Sequence, residues 1–467
     1  MNKFDVIIIG GGAGAFAAAI KANELKAKTL MVNAGLPLGG TCVNVGCVPS
    51  KTLLWAGEVM HQARSHGIPG IDIEVKNFDF AQVVQHELDL VDKLRAEKYE
   101  KVLNGLENVT HIEGQATFVS PNEIEVNGQK FQSKKFIIAA GSTATVPPIK
   151  GIEEVEYLTH IEALQIKQQP KELIVVGAGP LGLEFAQMYA RFGTKVTILQ
   201  RNVSIFPPAE RELTTRLAEL LTKEGITIKT SIQVKSVRKE GDKKILTYSI
   251  EGRNEEVSGD EILLATGKVP NTQGLGLDKA GVEIDEKQTI KVNPQFQTTQ
   301  PHIYAVGDVT NGPLRLEPTA GREGTLATEN ALNNTQNSID YNTVPWTIFT
   351  DPQLAGVGLT EEQEMEQVGR CLCRTVSFSD VPKAIIMNRT EGLIKMAIHP
   401  DTKVILGVHI LAPNAGDLIA QAMVLVKNKN TIDDIVNSLP MFPTLSEAIK
   451  IVALSFTKDI SKLSCCV

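Results

Sequence analysis

The chain has 467 residues, 42% of them hydrophobic and 22% charged, which is too long for one compact core and points to two or three domains. A net charge of −7 excludes a nucleic-acid binder, which would need a basic face. Six cysteines in so long a chain do not make a secreted disulfide framework; they fit a reducing compartment and catalytic or metal-binding thiols. The N-terminus lacks the apolar run and cleavage site of a signal peptide. No apolar run approaches the ~18 residues of a membrane span, so a cytoplasmic protein with no membrane partner is expected.

Phe4 to Ile9 is a continuous apolar run, the pattern of a parallel strand buried on both faces. It enters Gly10-Gly11-Gly12-Ala13-Gly14-Ala15 and then an alanine-rich helix. In this G-x-G-x-x-A turn, Gly10 permits the tight bend and Gly12 lets the backbone approach a pyrophosphate. Gly14 and the small Ala15 keep the helix close to the strand, with the helix N-terminus facing the phosphates. The second strand, Lys28 to Val32, ends at Asn33, where an acidic ribose ligand is expected. Asn33 can hydrogen-bond a hydroxyl but brings no charge.

Next comes Gly39-Gly40-Thr41-Cys42-Val43-Asn44-Val45-Gly46-Cys47-Val48-Pro49-Ser50-Lys51, with two cysteines five positions apart before a helix predicted from Pro49 to Glu58. The positive end of a helix dipole favours a thiolate there, the form that attacks, binds soft metals and accepts electrons. Phe80 to Leu106 reads as a charged helical stretch containing Tyr99, and Lys135 to Ile138 as an apolar strand running into Ala139-Ala140-Gly141. Pro147-Pro148 and Gly151 mark a domain boundary.

A second strand–turn–helix unit follows: Leu173 to Val176, then Gly177-Ala178-Gly179-Pro180-Leu181-Gly182, then a helix from Leu183 to Phe192. Its next strand ends at Gln200-Arg201. An acid there would bind the 2′-hydroxyl of NAD; a neutral Gln200 followed by Arg201 suits the 2′-phosphate of NADP. Ala265-Thr266-Gly267 closes this unit as Ala139-Ala140-Gly141 closes the first. Thr299 to Val309 is read as a strand ending in Gly307-Asp308, where the aspartate can bind a ribityl hydroxyl of a flavin. From about Tyr341 strands and helices alternate, with helices expected at Asp417–Val426 and Leu445–Ser455. Cys371 and Cys373 would point to one face of a strand, two thiols with no further cysteine nearby to complete a metal site. The chain ends Leu463-Ser464-Cys465-Cys466-Val467. Adjacent Cα atoms lie about 3.8 Å apart, closer than the ~4.4–6.8 Å usual across a disulfide, so Cys465-Cys466 suits a soft cation better than a stable disulfide.

The segment from Gly39 to Lys51 resembles the redox motif of the flavin-dependent pyridine nucleotide–disulfide oxidoreductases. The resemblance continues through Ala265-Thr266-Gly267, Ala305-Val306-Gly307-Asp308 and Phe349-Thr350-Asp351-Pro352. It implies an α/β fold with two Rossmann-like dinucleotide-binding domains and a C-terminal α+β interface domain, assembled as a homodimer. The FAD domain would comprise residues 1–150 and 270–340, the NADP domain 151–269 and the interface domain 341–467. By the same resemblance Cys47 lies against the flavin and Cys42 meets the substrate. Lys51 sits by the flavin N5 with Glu184 as its partner, and Tyr99 lies at the substrate side. Thr41 and Gly141 join the flavin contacts, and Gly267 the NADPH contacts.

Disulfide reductases of this family carry a His-Pro-x-x-x-Glu segment whose histidine protonates the leaving thiolate. Here it reads Phe442-Pro443-Thr444-Leu445-Ser446-Glu447, and all eight histidines lie at or before His409. The Leu-Ser-Cys-Cys ending and Val381-Pro382-Lys383-Ala384 resemble the mercuric reductases, which carry a tyrosine at the Phe442 position. That likeness implies Hg(II) presented as thiol complexes, bound by Cys465 and Cys466 of one subunit and passed to Cys42 and Cys47 of the other in a shared active site. The chain begins directly at the flavin motif, so a catalytic core without an N-terminal Gly-Met-Thr-Cys-x-x-Cys metal-binding domain is expected.

Overall fold

The first strand, Asn2–Ile9, has Val6 to Ile9 almost wholly buried, which accounts for its unbroken apolar run. It pairs in parallel with Thr29–Asn33 on one side and Gln129–Ile138 on the other. Val109–Glu113 extends the first edge. Ile303–Ala305 returns from the far side of the second unit to pair with Phe136 to Ile138. These elements come from a computed structural model that describes residues 2–464; the Cys465-Cys466 pair lies outside the described residues.

The second sheet is built the same way. Thr227–Lys229, Lys195–Leu199, Glu172–Val176 and Glu261–Leu264 lie side by side in parallel, with the helix Pro180–Phe192 following the glycine turn. A two-stranded ribbon, Ser142–Ala144 against Lys268–Pro270, ties the exits of the two units together. The third layer is a five-stranded antiparallel sheet ordered Trp346–Ile348, Gln353–Gly358, Ile405–Ala412, Leu393–Ile398, Cys373–Ser377. Helices Ala415–Lys427 and Glu447–Leu454 bury Ile419, Ala422, Ile449 and Val452 with this sheet in one core. The architecture is the expected α/β class with two Rossmann-like units and a C-terminal α+β layer. Among the described residues no helix is long and apolar enough to cross a membrane.

Three elements differ from the sequence reading. The helix after the redox motif starts at Cys47, not Pro49, and runs to Ser65. Proline at the third position loses no hydrogen bond, because the first N–H groups of a helix have no intrahelical acceptor. The strand before Asp308 is only Ile303–Ala305, since Pro301 opens a turn closed by the Ile303 N–H on Gln300 O at 2.9 Å. Phe80–Arg95 is helical, but Ala96–Glu100 forms a wider π-type turn before Lys101–Asn104 resumes. In this wider turn Tyr99 packs edge-on to Phe16, with ring centroids 5.0 Å apart.

Candidate active site

The first glycine turn admits no alternative at Gly10: φ is +135°, and a Cβ there would fall 2.2 Å from Ala139 O. Gly12 caps the helix Ala13–Glu24, and the nearest atom to a Cβ on it would be Gly40 Cα at 3.8 Å, so the backbone N–H groups stay open for a phosphate. Gly14 and Ala15 face inward, where the helix Glu317–Asn333 crosses so closely that a Cβ on Gly324 would meet Gly14 O.

The redox segment is fastened to this turn. Gly39 N–H donates to Gly11 O at 2.8 Å, and a Cβ on Gly40 would lie 2.6 Å from Gly12 Cα. Asn44, unremarked in the sequence, braces the loop from within: its Nδ2 donates to Pro37 O, Leu38 O and Gly40 O, and its Oδ1 accepts from Arg95. Thr41 and Cys42 lie in the short helix Gly40–Val45, and Cys47 is the first residue of the next helix.

Both sulfurs are free thiols, and their protons are unequally held. The Cys42 thiol donates to Cys47, which with the nearby Lys51 ammonium lowers Cys47 to about 7 against the opposing effect of burial. The same hydrogen bond, with burial added, pushes Cys42 far above the ordinary thiol range. Above neutral pH the pair is therefore one thiolate, Cys47, and one thiol, Cys42. Lys51 Nζ donates to Glu184 Oε2 at 2.7 Å and lies 4.5 Å from the centroid of the Phe349 ring. The buried Glu184 uses its other oxygen to accept from Phe349 N–H at 2.9 Å. Tyr99 is half-buried beside Gly39, its hydroxyl pushed up to about 12 by burial and by Cys42.

Asp308 Oδ2 accepts from Ser142 Oγ at 2.6 Å. Its turn is held by Glu323, a buried carboxylate that accepts from Gly307 N–H at 2.6 Å and from the Tyr341 hydroxyl at 2.7 Å. Gly141 has φ +69° and nothing within 4 Å of a Cβ. Asn33 is 3% exposed, and its amide donates to Leu36 O at 3.0 Å and to the Glu113 carboxylate at 3.2 Å. A carboxylate, that of Glu113 at the end of the neighbouring strand, thus stands beside Asn33. Sequence spacing gave no sign of it, because the two positions lie 80 residues apart. Unblocked N–H groups at a helix N-terminus beside an acid-bearing strand end fit the pyrophosphate and ribose of FAD.

The second turn repeats the first. Gly177 has φ +109° with a Cβ position 2.3 Å from Ala265 O, and a Cβ on Gly182 would strike Gly177 O. Gly179 has nothing within 4 Å and opens on a cavity of about 820 Å³. Gly177, Gln200, Arg201, Gly267 and Lys268 also line that cavity. Gln200 is buried and structural, donating to Ser204 O at 3.2 Å and accepting from Ala178 N–H at 3.4 Å. Arg201 is exposed at the rim, with no ion-pair partner among the described residues. An uncommitted guanidinium beside an open glycine turn fits a dinucleotide bearing an extra phosphate.

At the C-terminal end Phe442 is 45% exposed, and Leu439 and Met441 beside it are more exposed still. Glu447 Oε2 accepts from Thr444 N–H at 2.9 Å, so the carboxylate that orients a histidine in the disulfide reductases here caps its own turn. Cys465 and Cys466 lie outside the described residues.

With this geometry in hand, comparison with known proteins gives a consistent answer. A family model described as pyridine nucleotide-disulphide oxidoreductase matches residues 4–324, and the dimerisation domain of the same family matches 344–453. The mercuric reductase of Staphylococcus aureus is 39% identical over 465 residues, covering 100% of this chain and 84% of that protein. The dihydrolipoyl dehydrogenase of Thermus scotoductus is 37% identical over 466 residues, covering 98% of each. Among solved structures, the Cu(II) complex of the HOCl-induced flavoprotein disulfide reductase RclA from Escherichia coli superposes with a TM-score of 0.86 at 27% identity. That match covers 98% of this chain and all of that one.

Proposed function

The chain belongs to the pyridine nucleotide-disulphide oxidoreductase family, and from that premise we propose that it uses NADPH and FAD to reduce Hg(II) to Hg(0) at Cys42 and Cys47. FAD, when bound, accepts hydride from the nicotinamide and returns electron pairs to sulfur or to a metal held by sulfur. Gly177, Gly179 and Gly182 hold the NADPH pyrophosphate, and Arg201 pairs with its 2′-phosphate. Gly10, Gly12, Gly14, Ala15, Asn33, Thr41, Lys51, Gly141 and Asp308 hold FAD.

Hg(II) reaches the redox pair held by the two thiolates of the delivering tail, which have already replaced its small thiols. The Cys47 thiolate displaces one of them, and Cys42 displaces the other while its proton leaves with the departing thiol. An electron pair then converts the bis-thiolate of Hg(II) to Hg(0) and two cysteine thiolates. Lys51, held by Glu184, keeps positive charge beside the sulfurs while they are anionic, and Tyr99 closes the substrate side. In a cytoplasmic homodimer the partner subunit's Cys465 and Cys466 collect the metal and pass it inward. The exposed Leu439, Met441 and Phe442 support such a dimer, since apolar side chains of this exposure call for a cover.

The observation that carries this reading is Phe442, together with a Glu447 carboxylate spent on the Thr444 backbone. Reducing a disulfide requires an acid for the departing sulfur; exchanging thiolates on a metal does not. The second reading, a disulfide reductase of the dihydrolipoamide dehydrogenase or thioredoxin reductase type, is favoured by the 37% identity to the Thermus dehydrogenase.

One assay separates the two. NADPH oxidation is followed with excess small thiol and either Hg(II) or a disulfide, and volatile mercury is collected. Hg(II)-dependent turnover with release of Hg(0) is expected; turnover with the disulfide alone sinks the proposal. Replacing Cys465 and Cys466 by alanine is expected to cripple Hg(II) turnover under excess thiol, and an unchanged rate shows that the tail takes no part.

A further inference from the structure

Residues 371–373, where the chain enters the edge strand Cys373–Ser377 of the C-terminal sheet, meet the first turn of the helix Glu361–Val368, and this contact gathers a donor set remote in sequence from the redox motif. The sulfurs of Cys371 and Cys373 and a carboxylate oxygen of Glu361 all lie within 4.8 Å of one another. Glu364, one turn further along the helix, is fully buried. Its Oε2 accepts from the Cys373 thiol at 3.3 Å and its Oε1 from Leu372 N–H at 3.4 Å.

Acidic residues in the first turn answer the helix dipole, which accounts for the exposed Glu362. It does not account for the buried Glu364 carboxylate on the Cys373 thiol, nor for the half-exposed Glu361 carboxylate beside both sulfurs. The local charge is also out of balance. Lys395, with a side chain 4% exposed, is ringed by Glu210, Glu212 and Glu361, and Glu364 adds a further carboxylate. One ammonium thus faces an excess of anions before either thiol ionises. A bound cation offsets that excess by taking the place of the thiol protons.

We propose that Cys371, Cys373 and Glu361 form a second metal site, with Glu364 beside it, for a borderline or soft divalent cation of the Zn(II) or Cd(II) class. Two thiolates and a carboxylate suit such ions, and metal–sulfur bonds of about 2.3 Å set a tetrahedral sulfur–sulfur separation of about 3.8 Å. Binding converts two thiols and one carboxylate into metal ligands and releases two protons to solvent. The ion pins the edge strand to the helix, so its role is to hold the sheet.

The test uses full-length, FAD-loaded protein in which Cys42, Cys47, Cys465 and Cys466 are serine, titrated with Cd(II) alone. One equivalent is expected to bind, with thiolate-to-cadmium absorbance and release of two protons. Adding Cys371→Ser and Cys373→Ser is expected to weaken binding at least 100-fold, and Glu361→Gln about 10-fold. Absence of the absorbance, equal affinity without the two thiols, or an existing Cys371–Cys373 disulfide overturns the site. If the serine background fails to retain FAD, thermal unfolding of the otherwise unchanged holoenzyme decides. Zn(II) must raise the midpoint for the native chain and not for the Cys371→Ser, Cys373→Ser variant; an equal rise in both refutes the proposal.

Discussion

The two glycine turns are near copies in sequence, yet their surroundings differ. At the first, the redox segment lies across the turn through Gly39 and Gly40, and the helix Glu317–Asn333 presses on Gly14. At the second, Gly179 faces a cavity of about 820 Å³ with the uncommitted Arg201 at its rim. One phosphate site is roofed by its own chain and the other is left open. The roofed turn suits a nucleotide that stays; the open one suits a nucleotide that enters reduced and leaves oxidised. The motif specifies a phosphate site, and whatever is laid over it sets how long the ligand stays.

The sharpest way to break this comparison is to spoil both turns equally. Gly10→Val puts a β-branched side chain at φ +135° against Ala139 O, and the purified protein is expected to carry no flavin absorbance. Gly177→Val meets the same obstruction at Ala265 O but is expected to retain its flavin and lose NADPH oxidation. Flavin loss from both variants would show that the turns are not independent. A milder change is Gly179→Val, whose side chain enters open space. It should raise KM for NADPH about 100-fold with little change in kcat, the signature of lost uniform binding.

Arg201→Glu sharpens the assignment of the visitor. It should shift the NADPH-to-NADH ratio of kcat/KM by about 10–100-fold, the worth of a charged hydrogen bond. The smallest effect is expected at the roofed turn. In the dithiol form, thiolate absorbance should show a single step near pH 7 from Cys47, protonated below and ionised above, while Cys42 stays protonated. Lys51→Met should move that step upward. A step that does not move would remove Lys51 from the causes of the low value.

Much of this was legible because it is local. Strand, turn and helix succeed one another within a few residues in both units, so Gly10, Gly12, Gly177, Gly179 and the Cys42–Cys47 pair announce themselves by spacing. What was not legible depends on distant pairings. Glu113 reaches Asn33 only because two parallel strands end side by side, and Glu323 reaches Gly307 only through a helix crossing. Asn44 looks like an ordinary residue between valines until its amide is seen to hold three carbonyls. Glu361 joins Cys371 and Cys373 across a helix–strand contact that no sequence spacing encodes.

Glu184 has one more consequence. Its helix begins at the NADPH turn, its carboxylate grips Lys51 beside the redox pair, and the same carboxylate holds Phe349 N–H of the C-terminal layer. Nearby Arg191, on the same helix, joins Glu224 to Asp351. Three regions of the chain are therefore bolted together along a single rod. Any swing of the nicotinamide unit large enough to act as a hinge would tear these bonds and leave a buried carboxylate and guanidinium without partners. The nicotinamide unit, the redox pair and the C-terminal layer are accordingly held as one fixed frame, and the nucleotide is the part that moves.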